Sequence, residues 1–310
     1  MLIYDPIVEL PPDLQLLSFE PMSRPTWHLP SEIYEPIRRI SNGFGVKVAV
    51  LDTGYYKHPT LPTAIATRSF INGESVDDRN AHGTHCSGTV LSRDPNIGLA
   101  PAAELIIGKV LSNAGSGSSS GIAAGINWAV DQGADIINLS LGGGSSYAPT
   151  NQAIQRAISR GVIVCIAAGN SGFNGTTNTI GFPARAGDGI CVAALNEQFQ
   201  PATFSSGGVQ MIIAAPGQNI LSCANSGSGY RLMSGTSMAT PFVVGCYALI
   251  VSQMRRLGQP SWTSTQAVNA FVKANTKDLL TPGHDHQTGF GMYDMTSVMT
   301  TLAKDELIYV

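Results

Sequence analysis

The feature that most constrains this chain is a series of short apolar runs that stop abruptly. GVKVAVLDTG carries one from Val46 to Leu51, ending at Asp52. AELIIGKVL (103–111), ADIINLSLGG, VIVCIAAGN, GICVAAL and QMIIAAPG repeat the pattern. Runs this short, apolar at successive positions and rich in β-branched residues, read as strands buried on both faces. Segments of helical spacing lie between and after them. SSGIAAGINWAVDQG (119–133) and PTNQAIQRAISRG (149–161) each close on glycine. SMATPFVVGCYALIVSQMRR (237–256) reads as a long apolar helix. TQAVNAFVKANT (265–276) and MTSVMTTLAK (295–304) read as surface helices. The alternation predicts an α/β fold in three layers, a central, mainly parallel sheet with helices on both faces. Sites in such sheets gather at the carboxyl ends of the strands. Asp52, Ser140 and Asn170 each follow a buried run.

Bulk properties narrow the function. The 310 residues are 43% hydrophobic, 13% charged and include 34 glycines, as expected for a large core with many tight turns. The net charge of −3 and the absence of basic runs argue against nucleic acid and anionic membranes as partners. No stretch reads as about 20 consecutive apolar residues, so no membrane span is expected. MLIYDPIVELPPDLQ lacks a basic start and an unbroken apolar core, so it does not read as a secretory signal. The expectation is a soluble cytoplasmic protein, secreted only if a leader has been removed. Cys86, Cys165, Cys191, Cys223 and Cys246 are widely spaced and odd in number, which predicts reduced core thiols. Residues 1–20 are proline-rich and read as an extended arm. No internal repeat or long linker divides residues 21–310.

Three distant segments carry the chemistry: LDTG (51–54), AHGTHCSG (81–88) and SGTSMATP (234–241). Each alone is weak, because a serine before a helix is most often an N-cap. Together, in the order Asp, His, Ser, they resemble the subtilisin-like serine proteases across roughly residues 25–300. The resemblance implies a peptidase domain over 21–310 with Ser237 as nucleophile, His82 as base and Asp52 orienting the imidazole. It implies Asn170, in AAGN, as an oxyanion donor beside the Ser237 backbone N–H. Gly115, Ser116 and Gly117 resemble the substrate-pairing edge strand, and Ser140, Leu141 and Gly142 the opposing strand. Ala167, Ala168 and Gly169 resemble the pocket wall, and Gly181 its floor. HGTHC, with Cys86, and GLAP (98–101) are similar to proteinase K.

The implied activity is endopeptidase chemistry on polypeptide substrates through an acyl-enzyme. Small uncharged pocket residues, with Ser171 after Asn170, imply a preference for large apolar or aromatic P1 side chains. Two other classes stay open: a non-catalytic peptide-binding protein on a protease scaffold, and an acyl-transferring transpeptidase or esterase. Of the two histidines, His82 aligns with the base, and His85 is expected to be a packed or hydrogen-bonded helix residue. HGTH lacks the glutamate of a zinc-binding H-E-x-x-H, so no metal site is expected. No cofactor is needed for the chemistry. Asp94 and Asn96 offer too few oxygens for calcium, and Asp188, Asn196 and Glu197 read as solvated loop residues rather than a weaker site. Phe242 stands where the family usually has histidine, which predicts altered packing. The short N-terminal extension is similar to that of intracellular subtilisins, in which it blocks the active site. LIYDP loosely resembles their motif, so residues 1–20 are expected to restrain activity, stiffened by Pro6, Pro11 and Pro12.

Overall fold

The computed structural model describes residues 2–3, 26–258, 270–271 and 273–304. Six of the expected runs form strands: β2 (Lys47–Asp52), β4 (Glu104–Lys109), β6 (Ile136–Leu139), β7 (Ile163–Ala167), β8 (Ile190–Leu195) and β9 (Met211–Pro216). With β3 (Ala66–Ser69) at one edge they make a seven-stranded sheet in the order β3-β4-β2-β6-β7-β8-β9, and every pairing is parallel. Alternation within each strand builds two cores. Val48 and Val50 face one side, and Ala49 and Leu51 the other.

The second side is covered by α3 (Ser119–Asp131) and α4 (Ala148–Ser159), which pack on each other. The first is covered by α2 (His82–Leu91) and α5 (Thr236–Arg256), with α1 (Ser31–Ile40) and α6 (Met295–Lys304) outside them. The three-layer expectation is met. α5 departs from one expectation: with mean hydropathy 1.4, it is long and apolar enough to cross a membrane, yet 89% of that window is buried inside the protein. It is the core helix, lying across β6 to β9. All five cysteines are free and buried, as expected.

Several elements escape a periodicity reading for physical reasons. All ten residues of α2 are buried, so HGTHCSGTVL has no polar face. α1 carries an internal proline, Pro36. β3 is a polar edge strand. The hairpin of β10 (Ile220–Cys223) and β11 (Tyr230–Met233) packs against α2. Of the helix expected at 265–276, residues 270–271 and 273–274 are helical, Thr276 belongs to a short strand, and 265–269 and 272 lie outside the described residues. The arm at 1–20 also lies outside the described residues, apart from β1 (Leu2–Ile3), which pairs antiparallel with β5 (Ser116–Gly117).

Candidate active site

Asp52 is the last residue of β2 and His82 the first of α2. Both are buried, and Asp52 Oδ1 lies 2.8 Å from His82 Nδ1. The same oxygen accepts the Thr53 backbone N–H at 2.6 Å. A carboxylate facing Nδ1 fixes the proton there and makes Nε2 the basic nitrogen. α2 approaches β2 this closely only because residue 83 is glycine. A Cβ on Gly83 would stand 2.4 Å from the Gly54 carbonyl oxygen and 3.2 Å from Asp52 Cβ.

Ser237 is the second residue of α5 and is buried. Its carbonyl would ordinarily accept the N–H four residues on, but that residue is Pro241, which has none. The freed oxygen accepts instead from Ser140 Oγ at 2.8 Å and from Cys86 Sγ at 3.5 Å. Cys86 Sγ is also 3.9 Å from His82 Nδ1, so one thiol touches both helix starts. Ser237 Oγ donates to the Ser140 carbonyl at 3.3 Å. Ser140, just past β6, thus grips Ser237 twice, and Asn138 Nδ2 donates to its hydroxyl at 3.0 Å.

Asn170 lies three residues beyond the end of β7 rather than directly on it. Its Oδ1 accepts from Thr236 N at 2.9 Å and Thr236 Oγ1 at 3.1 Å, which turns Nδ2 the other way. Thr236 Oγ1 also accepts the Gly169 N–H at 3.0 Å. A Cβ on Gly235 would lie 3.3 Å from Asn170 Nδ2 and 3.6 Å from Ser237 N. Glycine there keeps open the space these two donors share, at the positive end of α5.

The expected walls are neighbours. Gly181 N donates to Ala168 O at 2.9 Å, and Gly143 and Phe182 exchange backbone hydrogen bonds at 2.8 Å. Leu141, Ala167 and Ala168 are buried. Gly142 is buried too, and Gly169 lies at φ 111°. On the far side, Gly115, at φ 76°, leads into Ser116 and Gly117 of β5.

His85 is the packed residue expected. Its Nε2 donates to Ile220 O at 2.9 Å, with Arg231 O at 3.1 Å, and burial pushes its pKa down to about 3. Asp52, His82 and Cys86 hold ligand-type atoms within 4.8 Å of one another. Burial, and after it the Asp52 charge, pushes the Cys86 thiol well up. A protonated thiol beside a paired carboxylate and imidazole fits an acid–base site better than a metal centre. Asp94 spends its oxygens on Asn96 N at 3.0 Å and the Tyr230 hydroxyl at 2.8 Å. Phe242 is buried edge-on to Tyr34 at 6.0 Å and His28 at 6.5 Å.

Sequence reasoning misses Thr53, Asp78 and Lys109. Lys109 is fully buried on β4, donating to Thr53 O and to Asn113 Oδ1 at 2.9 Å, with Glu74 Oε2 at 3.3 Å. Its place at the end of an apolar run is the signal that could have found it.

The subtilase family model matches residues 43–291, which hold every residue of this site. The chain belongs to the subtilase family. Subtilisin DY of Bacillus licheniformis is 43% identical over 238 residues, covering 76% of this chain and 85% of that protein. Subtilisin Savinase of Lederbergia lenta is 45% identical over 238 residues, covering 76% and 84%. Subtilisin E of Bacillus subtilis is 41% identical over 230 residues, covering 72% of this chain and 58% of that protein. This subtilase is a serine endopeptidase, a hydrolase acting on peptide bonds.

Proposed function

We propose that Asp52, His82 and Ser237 carry that hydrolysis. The observation behind the reading is the 2.8 Å bond from His82 Nδ1 to Asp52, with Cys86 touching both His82 and Ser237. Ser237 Oγ attacks the scissile carbonyl and passes its proton to His82 Nε2. Asp52 holds the ring and stabilises the imidazolium. Asn170 Nδ2 and the Ser237 N–H bind the oxyanion. His82 returns the proton to the leaving amine, and water then releases the acyl group by the same steps. A serine-directed fluorophosphonate followed by mass spectrometry tests this. Labelling at Ser237, lost in Ser237→Ala and His82→Ala, is the expected result. Labelling elsewhere, or labelling that survives His82→Ala at the parent rate, contradicts it.

Substrate backbone adds as a strand between 115–117 and 140–142. Ala167, Ala168, Gly169 and Gly181 leave a small-walled, uncharged pocket suited to a large apolar or aromatic P1 residue. The arm at 1–20 acts as an internal inhibitor. Supporting this, Leu2 pairs with Gly117 and Ile3 with Ser116, on the strand assigned to substrate. Deleting residues 1–20 is expected to raise activity. Calcium is not required in this reading, and EDTA is expected to leave activity intact.

A further inference from the structure

Asp78 takes no part in the chemistry described, yet it is buried four residues before the start of α2. Its carboxylate accepts five hydrogen bonds. Oδ1 accepts from Thr53 Oγ1, Asn80 N and Ala81 N, each at 2.9 Å. Oδ2 accepts from Thr84 N at 2.9 Å and Thr84 Oγ1 at 2.6 Å. Every partner is a donor, which an ionised carboxylate satisfies and an amide does not. The partners fall into two sets. Thr53 directly follows Asp52, and its N–H and hydroxyl reach Asp52 Oδ1 at 2.6 Å and Asp78 Oδ1 respectively. Asn80, Ala81 and Thr84 surround His82. Thr53 Oγ1 closes the circuit by accepting the Gly83 N–H at 2.9 Å.

The backbone between these partners is strained. Ala81, immediately before His82, lies at φ 89°, in the left-handed region that residues with a Cβ rarely occupy. Its own side chain cannot cap the helix. The orphan N–H groups of the first turn are taken by Thr53 at Gly83 and by Asp78 at Thr84. One carboxylate therefore holds both the unfavourable turn and the first turn of α2. It also ties them to the strand end bearing Asp52.

We propose that Asp78 is a positioning residue for His82, setting where the imidazole stands between Asp52 and Ser237. The inference rests on His82 being the general base. Misplacing a reacting group by about 1 Å costs about 10²-fold in rate. Asp78→Asn replaces an acceptor by a donor in a site filled with donors, so kcat on a small peptide anilide is expected to fall about 10²-fold with KM little changed. A double-mutant cycle separates positioning from general damage. In a His82→Ala background the same substitution is expected to change the residual rate by less than about twofold.

Failure of the base reading looks different, because His82→Ala would then itself retain the parent activity. If His82→Ala is crippled but Asp78→Asn keeps kcat within about threefold of the parent, the proposal is overturned. It is equally overturned if the drop persists undiminished in the His82→Ala background. Should Asp78→Asn not fold, Thr84→Val and Thr84→Ser make the test. Valine removes the shortest bond to Asp78, and serine keeps it. A severalfold lower kcat in the valine variant, restored by serine and absent without His82, supports the proposal. Equal kcat in both overturns it.

Discussion

Two corners of the first core bury histidine in opposite ways. At the carboxyl end of β2, His82 faces a carboxylate, and Thr53 and Asp78 hydrogen-bond the backbone on either side of it. Under α1 and α5, His28 is buried as well, yet neither ring nitrogen has a hydrogen-bond partner among the described residues. It sits edge-on to Trp27 at 6.2 Å and Phe242 at 6.5 Å, and burial pushes its pKa down to about 3. Desolvation alone turns a histidine into a neutral packing group. Beside an anchored carboxylate the same buried ring is held in one orientation, which the proposed mechanism uses. The difference lies in what the backbone brings to the ring, not in depth.

The largest way to break this comparison is to remove a member of the proposed triad. Ser237→Ala or His82→Ala is expected to lower kcat by about 10⁶-fold in a peptide anilide assay, whereas His28→Leu leaves kcat near the parent value. Next comes the oxyanion corner. Asn170→Ala is expected to cost about 10²–10³ in kcat with KM nearly constant. Thr236→Val costs less, because it removes only the hydroxyl contacts to Asn170 Oδ1 and Gly169 N–H.

Acid unfolding sharpens the other side of the comparison. His28 and His85 have folded pKa values of about 3, below the unfolded value of 6.5. Between those limits the unfolded chain binds more protons. Stability therefore falls as pH drops below about 6.5, by about 1.4 kcal/mol per pH unit for each histidine. Urea denaturation between pH 7 and 5 is expected to show this slope, and His28→Leu to remove one histidine's share. The smallest effect is at Cys86. Replacing its weak S–H donor in Cys86→Ala is expected to lower kcat by about threefold.

Much of the site was legible because its members sit where strands end or helices begin. Val46–Leu51 had to be a buried strand, so Asp52 had to lie at its end. The wording around His82 and Ser237 then marked them as candidates for the base and the nucleophile. What stayed hidden depends on contacts without periodicity. Asp78 has no pattern that separates it from the neighbouring Asp77, a surface residue bonded to Ser75 at 2.8 Å. Lys109 reads as the polar end of a strand until its amino group is seen buried against Thr53 and Asn113. Pro241 was visible as a proline in a helix. Its effect, freeing the Ser237 carbonyl for Ser140 and Cys86, needs the three-dimensional neighbours.

The mechanism depends most on His82 and Ser237 acting as one unit. The direct test is the peptide anilide rate of Ser237→Ala, His82→Ala and the double variant under one set of conditions. The double variant should be no slower than either single one, since each already abolishes the joint step. Losses that multiply instead would mean the two side chains work independently, which would contradict the mechanism.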